Sequence, residues 1–585
     1  MVRRSVSSRV RAASAALLVV APLIAAVLPT AAHATAPADC RPVPAPAADL
    51  LHATAATERL GVDGTGVTVG IISDSFDHAG ADAVSSDIAA GWLPGPGNPC
   101  GWTTPVTVVG TPAPSGSDEG RAMAQVVHGV APGAEILFAT ANPETNAAMA
   151  TAIDTLRENG ADIVVDDLGL SDDLYYARQE AGEAIQRSVD AGVLYVTAAG
   201  NYGRVGAAGY PSAGFPIAGW KSEAYRPMPC PADVEAAALA TEPPGASVDC
   251  MDFDPSEAAD ATMEIIVAGS PGSPMQLHWA EAAGAVDTTF AVVRRSPALG
   301  DAPQATWAPD AQRPVVPSGV GSVDAGPTAT DVSIVRRTSP AAGTPAVALL
   351  FPAIESFLSI AALEYFTSTA TDTVGASMIG HPADPAALPV AAVDATDLTL
   401  GFYGSAGPVT TFFGLPEPTT TTGPLVAGID TVPISFVIGQ TTGPGTFSGT
   451  SAAAPSVAAV AALMKQAAPD ADPARLRAAL VDTARPDAFS SPWPADLPAE
   501  RFSGAGLVDA LAAVTAVAPP APVPTPTPTP APTAAPSTPA PVADGPPARL
   551  AESGTAADAG VIAAGVVLTM LGLGILVFQR RRLLS

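Results

Sequence analysis

The sequence predicts an α/β domain built on a doubly wound parallel sheet, interrupted by a β-sandwich-like insertion and followed by a Pro-rich stalk and a transmembrane helix. Three patterns point there. Within residues 48–220 and 373–517, short apolar runs alternate with helix-like segments, as βα units around a parallel sheet require. Residues 221–372 instead carry β-rich runs separated by Pro and Gly, with little helical periodicity. The two ends have compositions that cannot belong to a packed core.

The N-terminal stretch, residues 1–34, combines Arg3, Arg4, Arg9 and Arg11 with an apolar run from Ala15 to Val27 and the small-x-small sequence Ala32-His33-Ala34. That is the layout of a secretory signal peptide and predicts export. In an exported chain the four cysteines, Cys40, Cys100, Cys230 and Cys250, are expected as disulfides. Three connectivities are open, and the pairing of sequence neighbours, Cys40 with Cys100 and Cys230 with Cys250, is the expectation.

Val67 to Ile72 is the first buried strand. Ile163 to Val165 and Val193 to Val196 follow, each preceded by a helical stretch that stops at a glycine, Gly160 and Gly192. Inside the insertion the strand-forming runs are Thr262 to Val267, Thr288 to Val293 and Asp331 to Val335. The parallel-sheet pattern resumes at Val390 to Val393 and closes with a helix from about Ala453 to Lys465.

Beyond the domain, residues 518–549 form the stalk: thirteen of the twenty-nine residues from Pro519 to Pro547 are proline, a composition that favours extended polyproline II. Residues 550–585 follow. Ala559 to Phe578 is uncharged and long enough to cross a bilayer, and Arg580, Arg581 and Arg582 place the tail inside. Upstream of it, Leu550-Ala551-Glu552-Ser553-Gly554 with the span and basic tail resembles the cell-wall sorting signals of Gram-positive bacteria, in an LAxTG-like form with Ser553 in the Thr position. The resemblance implies sortase, cell wall and membrane as partners and an extracellular, surface-anchored location on an actinobacterial cell.

Removing residues 1–34 and 555–585 leaves 20 Lys+Arg against 55 Asp+Glu, a net charge of −35. A surface of that sign repels phosphates, which argues against nucleic acid as a partner.

The strongest chemical signal is Ser448-Gly449-Thr450-Ser451-Ala452-Ala453-Ala454-Pro455 ahead of an apolar helix. Gly449 permits a tight turn and close approach of a substrate backbone. Ser451 then stands at a helix N-terminus, where free N–H groups and the dipole favour a developing oxyanion. A serine needs a base within reach and a group to orient that base.

This run resembles the nucleophile motif of subtilases, and other signposts fall in the family's order. Gly70 to Ser75 looks like the strand end that carries the catalytic Asp, matching Asp74; Thr197-Ala198-Ala199-Gly200-Asn201 resembles the oxyanion-hole motif, matching Asn201; Gly129 to Ala134 resembles the loop after the catalytic-His helix. The resemblance implies a subtilisin-like fold, a serine endopeptidase acting on protein or peptide substrates, no cofactor, and no metal ligands beyond an unassigned structural calcium. It also implies that Asp167, Leu168 and Gly169 form the segment that pairs with the substrate backbone. Asp167 replaces the usual Ser, as an acidic wall of the specificity pocket or as a further member of an acidic cluster.

One element departs from the pattern. Where subtilases carry the base histidine, the chain reads Asp118-Glu119-Gly120-Arg121, which aligns Glu119 with that base, and none of the six histidines stands in a matching context. In this one respect the chain is similar to the sedolisins, which use a Ser-Glu-Asp triad on the same fold. The sedolisin second acid falls four residues after the Glu, at Met123 here, so Asp74 is the expected orienting carboxylate. A carboxylate base predicts an acidic pH optimum. The competing reading, from a different class, is a catalytically inactive adhesion or binding protein on a peptidase fold.

Overall fold

The computed structural model describes residue 40 and residues 42–518, apart from residues 257, 269–272, 322–325, 353–359 and 441–442. The expected signal peptide, stalk, sorting motif and membrane span lie outside the described residues. Among the described residues, no helix is long and apolar enough to cross a membrane.

The centre is a seven-stranded sheet in which every neighbouring pair is parallel. Its strands are β1 (Thr68–Ser73), β2 (Thr107–Val108), β3 (Glu135–Thr140), β4 (Ile163–Asp166), β5 (Leu194–Ala198), β6 (Leu388–Asp394) and β7 (Val426–Asp430), in the spatial order β2-β3-β1-β4-β5-β6-β7. Parallel strands covered on both faces read as continuous apolar runs, and Ile163–Asp166 is buried at every position. Their side chains alternate between two cores. Val69, Ile71, Ile163, Val165, Leu194 and Val196 pack on one face, while Ile72, Val164 and Tyr195 pack on the other.

Helices α1 (Glu119–Val130) and α4 (Thr450–Ala467) cover the first face; α2 (Asn146–Glu158) and α3 (Glu180–Asp190) cover the second. The α4 helix is buried from Thr450 to Met464. Its alanines let it lie close against the sheet.

From β1 the chain runs to the edge at β2, comes back through β3 beside β1, and then crosses to place β4 on the other side of β1. Such a reversal opens a crevice at the C-terminal strand ends, where open α/β sheets build their sites. Asp74 follows β1 and Asp167 follows β4, and the two strands are in register with Ile72 opposite Asp166.

Residues 219–374 form two further sheets. One holds five antiparallel strands: Val315–Val320, Ser273–Trp279, Val347–Leu350, Gly219–Ser222 and Asp372–Val374. The other runs through Phe290–Arg295, Thr328–Arg337 and Val248–Met251, with Met263–Val267 pairing to Thr328–Arg337. Trp220, Leu277, Trp279, Leu349, Ile265, Phe290 and Ile334 from both sheets share one core, which makes the unit a sandwich. The disulfides are Cys40–Cys100 and Cys230–Cys250.

Candidate active site

Ser451 is the second residue of α4 and is 6% exposed. The turn before it depends on Gly449, whose φ of 101° lies in the region that favours glycine. The Gly449 N–H donates to the Asp430 carboxylate at 2.8 Å, and a Cβ at this position would stand 2.8 Å from Asn201 Nδ2. Asp430 ends β7, so the strand fixes the turn that presents the serine.

Asn201, just past β5, points its amide at the same turn. Its Oδ1 accepts the Thr450 N–H at 3.0 Å and the Thr450 hydroxyl at 2.9 Å. An amide oxygen cannot donate, so these bonds fix the flip and leave Nδ2 as a free donor on the Gly449 side of the turn.

Glu119 opens helix α1. The N-cap residue Asp118 has a left-handed backbone, φ 62°, and its carboxylate accepts the N–H groups of His78 at 2.7 Å and Ala79 at 3.0 Å. Gly120 brings the helix against β1 and β3: its N–H donates to Ser75 O at 3.0 Å, and a Cβ would stand 2.2 Å from the Phe138 ring. The Glu119 carboxyl is thereby set beside the Ser451 hydroxyl and Asp167. Neither contact closes to a hydrogen bond of normal geometry. Burial, and secondarily the charge of Asp74, raises the Glu119 carboxyl to about 7; the Ser451 hydroxyl and Asp167 oppose the shift.

Asp74 reaches this helix end through the backbone. Its Oδ1 accepts the Glu119 N–H at 3.1 Å; its Oδ2 accepts the Ser117 N–H at 2.5 Å and the Ser117 hydroxyl at 2.6 Å. The Ser75 N–H donates to it as well. Asp74 therefore caps the helix that carries Glu119 and acts on the Glu119 carboxyl by charge.

Glu119, Asp167, Leu168, Gly169, Asn201 and Ser451 line one cleft of about 250 Å³. Two further acids on its wall, Glu144 and Asp173, were not apparent from the sequence. Burial raises both, Asp173 to about 6. The signal for Asp173 lay in its loop after β4. For Glu144 only its place after β3 could have served.

Among the described residues no histidine lines the cleft. His128 lies on α1 but is buried, and burial lowers it to about 4. His381 is buried with its Nε2 2.8 Å from Asp166 Oδ1. His52 pairs with Asp509, His278 is buried on a sandwich strand against Tyr175, and His78 is exposed. No group of three or more His, Cys, Asp or Glu is arranged to hold a metal ion among the described residues.

A serine at a helix N-terminus, the Asn201 amide and an acid-bearing helix meet at the switch point of a parallel sheet. The subtilase family model matches residues 106–240 and 431–509. The matched segments contain Glu119, Asp167, Asn201 and Ser451, and leave out Asp74 and most of the sandwich. Among solved structures, the chain is similar to the Clostridium perfringens CspB protease, at 14% identity over 81% of this chain and 98% of that one, TM-score 0.46. It is similar to the prenylagaramide maturation protease PagA, at 13% identity over 77% and 93%, TM-score 0.34. It is also similar to MycP1 from Mycobacterium smegmatis, at 14% identity over 82% and 87%, TM-score 0.32. No curated protein matches the chain.

Proposed function

We propose that the chain is a surface-anchored serine endopeptidase that cleaves peptide bonds through an acyl-enzyme on Ser451, with Glu119 as its base. The observation that carries this reading is that a glutamate, and no described histidine, faces the Ser451 hydroxyl. Ser451 Oγ attacks the scissile carbonyl carbon while Glu119 takes the hydroxyl proton. The oxyanion so formed faces Asn201 Nδ2 and the N-terminus of α4. On collapse, Glu119 returns the proton to the leaving amine and the C–N bond breaks. A water, deprotonated by Glu119, then hydrolyses the ester and restores Ser451.

The pH dependence follows from the state Glu119 must hold. It accepts a proton only when ionised, and burial beside Asp74 keeps it protonated up to about 7. The acidic optimum expected from the sequence therefore shifts upward: activity climbs through the weakly acidic range toward neutrality. Export and anchoring rest on residues 1–34 and 550–585, whose pattern predicts a signal peptide and a sorting signal.

The test is to incubate residues 35–517 with denatured casein across the acidic to neutral range. Cleavage that is lost in both Ser451→Ala and Glu119→Gln supports the reading. No cleavage at any pH supports an inactive binding protein on this fold. Release of the protein from cell walls only by wall-degrading enzymes tests the anchoring.

A further inference from the structure

The acid that follows β4 has a different situation from the buried carboxyls around the cleft. Asp87 and Asp118 pair with Arg121, Asp166 pairs with His381, and Asp74 takes donors from Ser75, Ser117 and Glu119. Both oxygens of Asp167 are buried and accept no hydrogen bond; the Ser73 hydroxyl that faces it makes none of normal geometry. The charges that act on it most strongly are acidic: Glu119 from α1, its own neighbour Asp166 and Asp74 beyond β1. Glu119 in turn faces Asp74, Glu144 and Asp167. A buried carboxylate without a donor or a cation is a costly species, and a protein removes the cost by keeping the acid neutral. A neutral carboxylic acid has one strong donor to give, and Glu119 is the acceptor beside it.

We infer that Asp167 is the positioning residue of this site: as a neutral carboxylic acid it donates its hydrogen to the Glu119 carboxylate and holds that carboxylate against Ser451. The orienting role expected of Asp74 thus passes to an acid in the segment that otherwise pairs with substrate. Asp74 keeps the helix end in place, and Asp167 fixes the direction of the base. The raised proton affinity of Asp167, caused first by burial and then by the charge of Glu119, agrees with this state. The pair exchanges no net proton during turnover. Glu119 cycles between ionised and protonated, and Asp167 stays protonated throughout.

The inference rests on Glu119 as the base, whereas the protonation state of Asp167 can be read without turnover. The experiment therefore has two arms. In the inactive Ser451→Ala protein, carboxyl carbon resonances of labelled Asp are followed against pH, with Asp167→Asn identifying the Asp167 signal. Asp167 is expected to remain protonated through neutrality; titration in the ordinary carboxylate range overturns the inference even if no activity is found. In the active protein, Asp167→Asn keeps a donor and is expected to retain kcat within a few-fold. Asp167→Ala is expected to lose at least about tenfold in kcat and to shift the ascending limb of the pH–rate profile upward. Equal behaviour of the Asn and Ala variants, with no shift of that limb, overturns it.

Discussion

The backbone N–H of Glu119 donates to the Asp74 carboxylate at 3.1 Å, so the acid just past the first strand caps the helix that begins with Glu119. The bond couples two positions 45 residues apart in sequence. It places a negative charge at a helix N-terminus, where the dipole stabilises it, and close enough to Glu119 to raise that carboxyl.

In the proposed mechanism Asn201 acts only during the reaction. Its Oδ1 is occupied by Thr450, and its Nδ2 faces the nucleophile turn. Asn201→Ala is expected to lower kcat by roughly 10²–10³ while KM changes little, because the lost donor acts on the oxyanion and not on the ground state. Steady-state kinetics on a peptide substrate checks the split.

Gly449→Ala combines two penalties. It forces a side chain into a φ of 101°, and its Cβ would stand 2.8 Å from Asn201 Nδ2. A stability loss of about 1–3 kcal/mol is expected, together with loss of activity as the Ser451 turn shifts. Thermal unfolding and an activity assay on the same preparation measure both.

Glu119 also links stability to pH. Its proton affinity is raised on folding, from 4.5 to about 7, so the folded protein binds more protons than the unfolded chain between those values. Stability from this group is fully present below 4.5 and is lost as pH rises through about 7. Glu119→Gln, which is neutral at every pH, should therefore raise Tm relative to the parent above neutrality more than it does in acid. Melting curves across pH give the comparison.

His128 works in the opposite direction. Burial lowers it from 6.5 to about 4, so its contribution is present above 6.5 and is lost as pH falls toward 4. His128→Gln is expected to flatten the acid limb of the stability profile; an unchanged limb would show that another group sets it.

The strand cores and the turn before Ser451 were legible because their signals are local. β4 is an apolar run, and the Gly449-Thr450-Ser451 turn needs one glycine and a following helix. Glu119 drew notice by its alignment with a missing histidine, and the structure sets it at the start of α1. The partnering of the acids was not, because it depends on register: Asp167 meets Glu119 only because β4 lies beside β1 with Ile72 opposite Asp166. Asp430 holds Gly449 across nineteen residues, and Glu144 reaches the cleft from the loop after β3. Such contacts follow from how the sheet is wound, which no window of sequence contains.

Covalent labelling by a fluorophosphonate tests the pairing of Ser451 with Glu119 most directly. The label should appear on Ser451, increase with pH through about 7, and nearly vanish in Glu119→Gln. Ser451 that stays unlabelled at every pH, or that is labelled equally well in Glu119→Gln, would contradict the pairing.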